Sequence, residues 1–104
     1  MRFHRGEFYT AHIGGRLELQ RGWIDSTNTY GFHKIQKKGV TTVLKWVCTD
    51  LNSGLRVCSA ATRKACCDWI EKNQDRITAQ KSKEQYNDFV EEFQFRKYNE
   101  EVYG

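Results

Sequence analysis

The chain has 104 residues, of which 38% are hydrophobic and 13% aromatic, and its formal net charge is +4 at pH 7. This length fits one domain with one core, and so many large apolar side chains exclude a disordered chain. No apolar run approaches the roughly 20 residues that cross a bilayer. The charged N-terminus also lacks the apolar stretch of a secretory signal. We therefore expect a single cytoplasmic domain over residues 1–104, without membrane contact.

Positive charge is concentrated in the first part of the chain. Residues 1–64 carry eleven Lys and Arg against four Asp and Glu, whereas residues 65–104 carry six against nine. This asymmetry suggests a basic surface that attracts an acidic partner. Ordinary solvated cations on strand faces are an equally open explanation.

Glycines divide the first 61 residues into short alternating segments, which predict antiparallel strands. A first hairpin is predicted over residues 7–24. Its loop would be Gly14-Gly15, because both positions of a type I′ turn need positive φ. This turn sets the register, and it would place Phe8 on the same face as Leu19.

Two further hairpins are predicted over residues 32–50 and 43–61. The third has the sequence Leu51-Asn52-Ser53-Gly54-Leu55 at its turn, with glycine at the left-handed position of a three-residue loop. In this register Cys48 lies directly opposite Cys58. Trp46 shares their side of the sheet, which is predicted to face the core.

Two helices are predicted after the strands. Thr62 is a candidate N-cap, and the apolar spacing from Cys66 to Ile77 predicts a helix over residues 62–77 that covers the sheet. A C-terminal helix is predicted over residues 79–98, with an apolar side formed by Tyr86, Phe89, Val90 and Phe93. The predicted fold is therefore α+β, with an antiparallel sheet of four or five strands followed by two helices.

The four cysteines, Cys48, Cys58, Cys66 and Cys67, do not suggest a disulfide framework. Cys66 and Cys67 are adjacent, and the first 47 residues contain no cysteine. The Cys-x2-4-Cys pairs of structural zinc sites are also missing, so we predict free core cysteines and neither a metal nor another cofactor. Cys67 lies off the buried stripe, beside two cations at a helix N-terminus, and is the candidate for a reactive thiol.

Enzyme motifs are missing from the sequence. It has no phosphate-binding loop, dinucleotide-binding glycine motif, zinc-protease motif or nucleophile elbow. The three histidines lie on distant strands or in the N-terminal tail, so none is placed to activate the thiol of Cys67. We therefore expect a protein that is not an enzyme.

Basic residues interleaved with aromatic ones predict a binding surface instead. Arg63 and Lys64 lie at a helix N-terminus, where the helix dipole disfavours cations, so a phosphate or an acidic protein surface would compensate for their placement. Aromatic side chains of the C-terminal helix fall off its buried side, and exposed aromatic clusters usually mark partner surfaces. The candidate partner-binding residues are Lys37, Lys38, Lys45, Arg56, Arg63, Lys64, Phe95 and Tyr98.

Residues 32–77 resemble, in outline, the sheet-plus-helix DNA-binding modules at the N-termini of tyrosine recombinases. The matching features are the strands predicted at residues 42–50 and 55–61 and the helix start at residues 62–70. This resemblance implies a sheet that enters the major groove of DNA, with a helix packed behind the last strand.

The chain is short, has no proline and carries a basic first part and an acidic second part. In this general character it is also similar to small host-directed proteins of bacteriophages. This resemblance implies a regulator or inhibitor that docks on a host protein or nucleoprotein machine. Direct DNA or RNA binding through strands 32–61 is the first alternative. A thiol-based redox protein acting through Cys67 is the second.

Overall fold

A computed structural model describes residues 2–36 and 43–103 of the chain. It shows a five-stranded antiparallel sheet in which the strand order follows the sequence, together with three α-helices, so the predicted α+β class is confirmed. None of the helices in these ranges is long and apolar enough to cross a membrane. The elements are β1 (Phe3–Ala11), β2 (Leu17–Asp25), β3 (Tyr30–Gln36), β4 (Val43–Asp50), β5 (Arg56–Ala60), α1 (Arg63–Lys72), α2 (Gln74–Lys81) and α3 (Glu84–Tyr103).

The β1–β2 hairpin forms, but the register predicted for it was wrong. Phe8 pairs with Gln20, so Phe8 and Leu19 lie on opposite faces; Phe8 is buried and Leu19 is 48% exposed. The chain turns through a 3-10 segment, Ile13–Gly15, rather than through two residues. The loop between the strands is therefore longer than the predicted one, and a one-residue change of register exchanges the two faces.

Strand β2 approaches β3 closely at Gly22. A Cβ atom there would lie only 2.0 Å from the carbonyl oxygen of Phe32, so this close approach of two strands requires glycine. The far end of the first hairpin then reaches the β4–β5 turn, because the Ala11 N–H donates to the Gly54 carbonyl at 2.9 Å. Phe8 consequently packs against the sheet face opposite the main core.

The β4–β5 hairpin follows the prediction most closely. Cys48 lies opposite Cys58, and Trp46 lies opposite Ala60. A bulge after Cys48 shifts the pairing by one residue toward the turn, where Thr49 faces Arg56. The register that places Cys48 and Cys58 on one face is therefore confirmed.

The helix predicted over residues 62–77 is two helices. Its start is confirmed, because Thr62 Oγ1 accepts a hydrogen bond from the Ala65 N–H at 3.0 Å. The chain leaves helical geometry at Asn73, whose side-chain amide donates to the Trp69 carbonyl at 2.8 Å, and α2 follows. A C-terminal helix is present, but its bounds differ from the predicted residues 79–98, because α3 spans Glu84–Tyr103.

The main core lies between the sheet and the first two helices. Phe32 and Cys48 from the sheet meet Cys66 and Ile70 from α1, and all four side chains are at most 1% exposed. Aromatic residues at the rim of this core are only partly buried. Three of them lie beside the first residues of α1.

A buried carboxylate joins α3 to the sheet. Asp50 is 4% exposed, and its Oδ2 accepts hydrogen bonds from Tyr86 Oη at 2.6 Å and Ser53 Oγ at 2.7 Å. Lys81 Nζ lies 3.8 Å from the other oxygen. Phe93 packs beside Gly54, so polar and apolar contacts together hold this helix in place.

Candidate nucleic-acid interface

Three aromatic rings meet on the α1 side of the sheet: Phe3 from β1, Trp23 from β2 and Trp46 from β4. Trp23 pairs with Phe32 across β2 and β3, and Phe32 pairs with Cys48 across β3 and β4. Directly opposite residues share a face, as do residues two apart on one strand. The strand register thereby places these rings on one side, and all three remain partly exposed.

The guanidinium of Arg63 lies over all three rings. Its Cζ is 4.4 Å from the ring centroid of Phe3, 5.1 Å from that of Trp23 and 5.8 Å from that of Trp46. A cation over an aromatic face contributes about 0.5–1 kcal/mol at an exposed site. The rings therefore offset the unfavourable position of this cation at a helix N-terminus, and they hold the guanidinium at a defined place.

Two further cations follow the same pattern. Arg5 Cζ lies 5.1 Å from the Trp23 ring, and Lys34 Nζ lies 5.3 Å from the Trp46 ring. Lys64 is the neighbour of Arg63 and is highly exposed. We call this surface the cationic-aromatic face, and its residues are Phe3, Arg5, Trp23, Lys34, Trp46, Arg63 and Lys64.

Most of the positive charge on the cationic-aromatic face is not neutralised. Within residues 2–36 and 43–103, no carboxylate lies within salt-bridge distance of Arg5, Lys34 or Arg63. Lys64 differs, because its Nζ lies 3.2 Å from a carboxylate oxygen of Asp68. Guanidinium and ammonium groups held in this way can accept an anion without first breaking an ion pair.

The face borders an open groove of about 610 Å³ at the junction of the sheet and α1. Phe3, Trp23, Trp46 and Arg63 line it, and Asp68 and Glu71 lie on its α1 side. An extended ligand with a negatively charged backbone could therefore lie over the rings and cations, with its path limited on one side by these two acids.

The predicted binding residues are divided among several surfaces. Arg63 and Lys64 lie on the cationic-aromatic face, and Lys37 and Lys38 lie outside the described residues. Lys45 directly precedes Trp46 on β4, so its side chain lies on the opposite face of the sheet. The remaining three are distant from the face in the fold: Arg56 at the start of β5, beside a cavity of about 410 Å³, and Phe95 and Tyr98 on α3.

Five residues of the cationic-aromatic face were not among the predicted binding residues: Phe3, Arg5, Trp23, Lys34 and Trp46. Trp23, Lys34 and Trp46 lie in strands that the sequence predicts, whereas Phe3 and Arg5 lie before the first predicted strand. The convergence of these residues depends on the pairing of β1 with β2 and of β2 with β3. The alternation of aromatic and basic residues was the available signal. It became specific only with the observed register.

The cysteines are free thiols, and the expectation of an activated thiolate at Cys67 is not supported. Burial raises the pKa of Cys67, and the nearby Arg63 lowers it to a smaller extent. Among the residues with described positions, no group of three His, Cys, Asp or Glu side chains is arranged for a metal ion.

A second exposed surface lies on α3. Phe95 is 66% exposed, Tyr98 57% and Val102 51%. Positions i, i+3 and i+7 lie on one side of a helix, so these side chains form a continuous apolar row, which we call the α3 stripe. It is separate in the fold from the cationic-aromatic face.

Comparisons of the chain with protein-family models, with curated proteins and with solved structures find no match. The outline similarity to recombinase modules and the general similarity to phage proteins therefore stay predictions. The arrangement of charges and rings described above is the basis for a functional proposal.

Proposed function

We propose that the protein is a non-enzymatic binding protein that holds a nucleic-acid strand on its cationic-aromatic face. The observation that carries this proposal is the set of cations formed by Arg5, Lys34 and Arg63. Each lies over an aromatic ring and has no carboxylate partner among the described residues. A stacked guanidinium keeps its N–H edge available, and this edge matches the paired oxygens of a phosphate.

The rings favour a nucleic acid over a simple inorganic anion. Proteins that bind single strands combine a positively charged groove with aromatic side chains on which bases stack, and each stacked base contributes about 1–3 kcal/mol. Trp23 and Trp46 provide two such rings beside the cations. In the proposed complex, bases stack on these indoles while the cations turn toward the adjacent phosphates.

An affinity comparison tests this function. Fluorescence anisotropy with labelled single-stranded DNA and RNA, at about 50 mM salt, should show binding by the wild type. Arg63→Gln should weaken it about tenfold, which corresponds to about 1.4 kcal/mol. Arg76→Gln is the matched control, because this exposed arginine on α2 undergoes the same change away from the rings. Absence of wild-type binding, or equal losses in both variants, would contradict the proposal.

The α3 stripe supports a second candidate function, docking on a protein. An apolar row containing two aromatic residues is costly to leave in water, and aromatic side chains often anchor protein interfaces. With both surfaces in use, the chain would bridge a nucleic acid and a protein, as a regulator of a nucleoprotein machine does. Loss of partner binding in Phe95→Ser, with nucleic-acid affinity retained, is the result expected for this function.

A further inference from the structure

Three thiols meet beneath α1, in a part of the molecule that the proposed function does not use. Cys48 and Cys58 lie opposite each other on β4 and β5, and Cys66 lies above them on α1. Cys58 Sγ is 3.9 Å from the carbonyl oxygen of Cys66, and Cys66 Sγ is 3.8 Å from that of Trp46. Cys48 and Cys66 are fully buried, whereas Cys58 is partly exposed.

The strand register places Cys48 and Cys58 within reach of a disulfide. Directly opposite residues of an antiparallel pair have Cα atoms about 4.5–5.5 Å apart. Disulfides span Cα separations of about 4.4–6.8 Å, so the two cysteines can be joined without opening the hairpin. Both side chains also point to the same face of the sheet.

The two thiols differ in their protonation. Hydrogen bonding to Cys48 lowers the pKa of Cys58, although burial opposes this. The same hydrogen bond and burial raise the pKa of Cys48. Cys58 is therefore both the more exposed thiol and the one that is more readily deprotonated, and the thiolate is the reactive form.

We propose that Cys58 and Cys48 form a peroxide-sensitive thiol pair, with Cys58 as the attacking thiolate and Cys48 as the resolving thiol. In the first step Cys58 Sγ bonds to one oxygen of hydrogen peroxide, the O–O bond breaks, and the departing hydroxide takes a proton to form water. Cys58 is then a sulfenic acid.

In the second step Cys48 Sγ attacks Cys58 Sγ. The S–S bond forms, the S–O bond breaks, and the hydroxyl group leaves as a second water with the proton of Cys48. The two thiols lose two electrons in total, and the peroxide gains them. Cys66 remains reduced, because its thiol is engaged with the Trp46 carbonyl and is fully buried.

The test treats the reduced, full-length protein with a small excess of hydrogen peroxide and follows intact mass and a non-reducing peptide map. The expected product has lost two hydrogen atoms, contains one Cys48–Cys58 linked peptide pair, and returns to the starting mass with dithiothreitol. Cys67→Ser should behave as the wild type. Cys48→Ser should stop at a sulfenic acid on Cys58 that dimedone traps.

The protein unfolded in urea is the matched control, because the pairing of β4 with β5 no longer holds Cys48 opposite Cys58 there. A folded protein whose first product links Cys58 to Cys66, or is oxidised first at Cys67, would overturn the proposal. An unchanged intact mass after peroxide treatment, or oxidation of Cys58 beyond the sulfenic acid without a disulfide, would also overturn the proposal. The wild-type map alone decides between these outcomes, so a variant that folds poorly does not affect the conclusion.

Discussion

The contact between Tyr86 and Asp50 should make a large contribution to the stability of the fold. Tyr86→Phe removes only the hydroxyl that donates to the buried Asp50 carboxylate at 2.6 Å, and the ring keeps its packing. A hydrogen bond to a charged group contributes about 1.5–3 kcal/mol. The free energy of unfolding should fall by this amount, and since 1 kcal/mol shifts Tm by about 4–8 °C, Tm should fall by at least about 6 °C.

Urea denaturation followed by tryptophan fluorescence measures this difference. Tyr98→Phe is the control, because it removes the same hydroxyl from the same helix at a side chain that is 57% exposed. The control should stay within about 0.5 kcal/mol of the wild type. If Tyr86→Phe also stays within that margin, the buried carboxylate does not hold α3 on the sheet as we infer.

Three further predictions follow from local geometry. Burial lowers the pKa of His33, with Glu18 opposing and His12 adding to the effect. Below pH about 6.5 the unfolded state therefore binds a proton that the folded state does not, and the free energy of unfolding should fall as the pH is lowered through this value. An unchanged urea midpoint between pH 7.5 and 5.5 would contradict this prediction. Gly22→Ala, whose Cβ would meet the backbone of Phe32, should cost about 3 kcal/mol in urea denaturation. In Gly6→Ala the new Cβ would meet only side-chain atoms, of Ile24 and His4, so this variant should cost less; equal losses would disprove the tight approach at Gly22. Phe95→Ser should change stability by less than about 0.5 kcal/mol and reduce any self-association seen by sedimentation, and a large loss of stability would show that the α3 stripe is packed.

The parts of the fold that the sequence predicts correctly depend on local signals. The β4–β5 hairpin combines alternating side chains with a glycine at the left-handed position, and Gly54 indeed has φ of 71°. The start of α1 is equally local, because Thr62 directly precedes the helix and caps it through the N–H of Ala65, three residues along the chain. Such features need no knowledge of the remaining chain.

The errors arise where the same local pattern fits two structures. Two consecutive glycines fit a two-residue turn, and they also fit the longer turn observed, in which both have positive φ. The break at Asn73 was missed because Ile70 and Ile77 keep helical spacing on both sides of it and both are buried. The backbone of Asn73, with φ of −118°, leaves helical geometry there, and its side-chain amide bonds to the Trp69 carbonyl.

The candidate site was predicted only in part, because its residues come from distant parts of the sequence. Arg63 and Lys64 were found because cations at a helix N-terminus call for a compensating interaction. The rings that supply much of this interaction come from three strands, and no local pattern joins Phe3, Trp23 and Trp46. Sites built by non-local strand pairing require the register, which the sequence specified correctly only for β4 and β5.

The salt dependence of single-strand binding tests the proposed interface most directly. Three cations without carboxylate partners would neutralise about three phosphates, so the logarithm of the association constant should fall with the logarithm of salt concentration with a slope of about −2. Arg63→Gln should make this slope less steep by about 0.7, and Arg76→Gln should leave it unchanged. A wild-type slope near zero, or the same slope in the wild type and Arg63→Gln, would show that these cations do not contact phosphates.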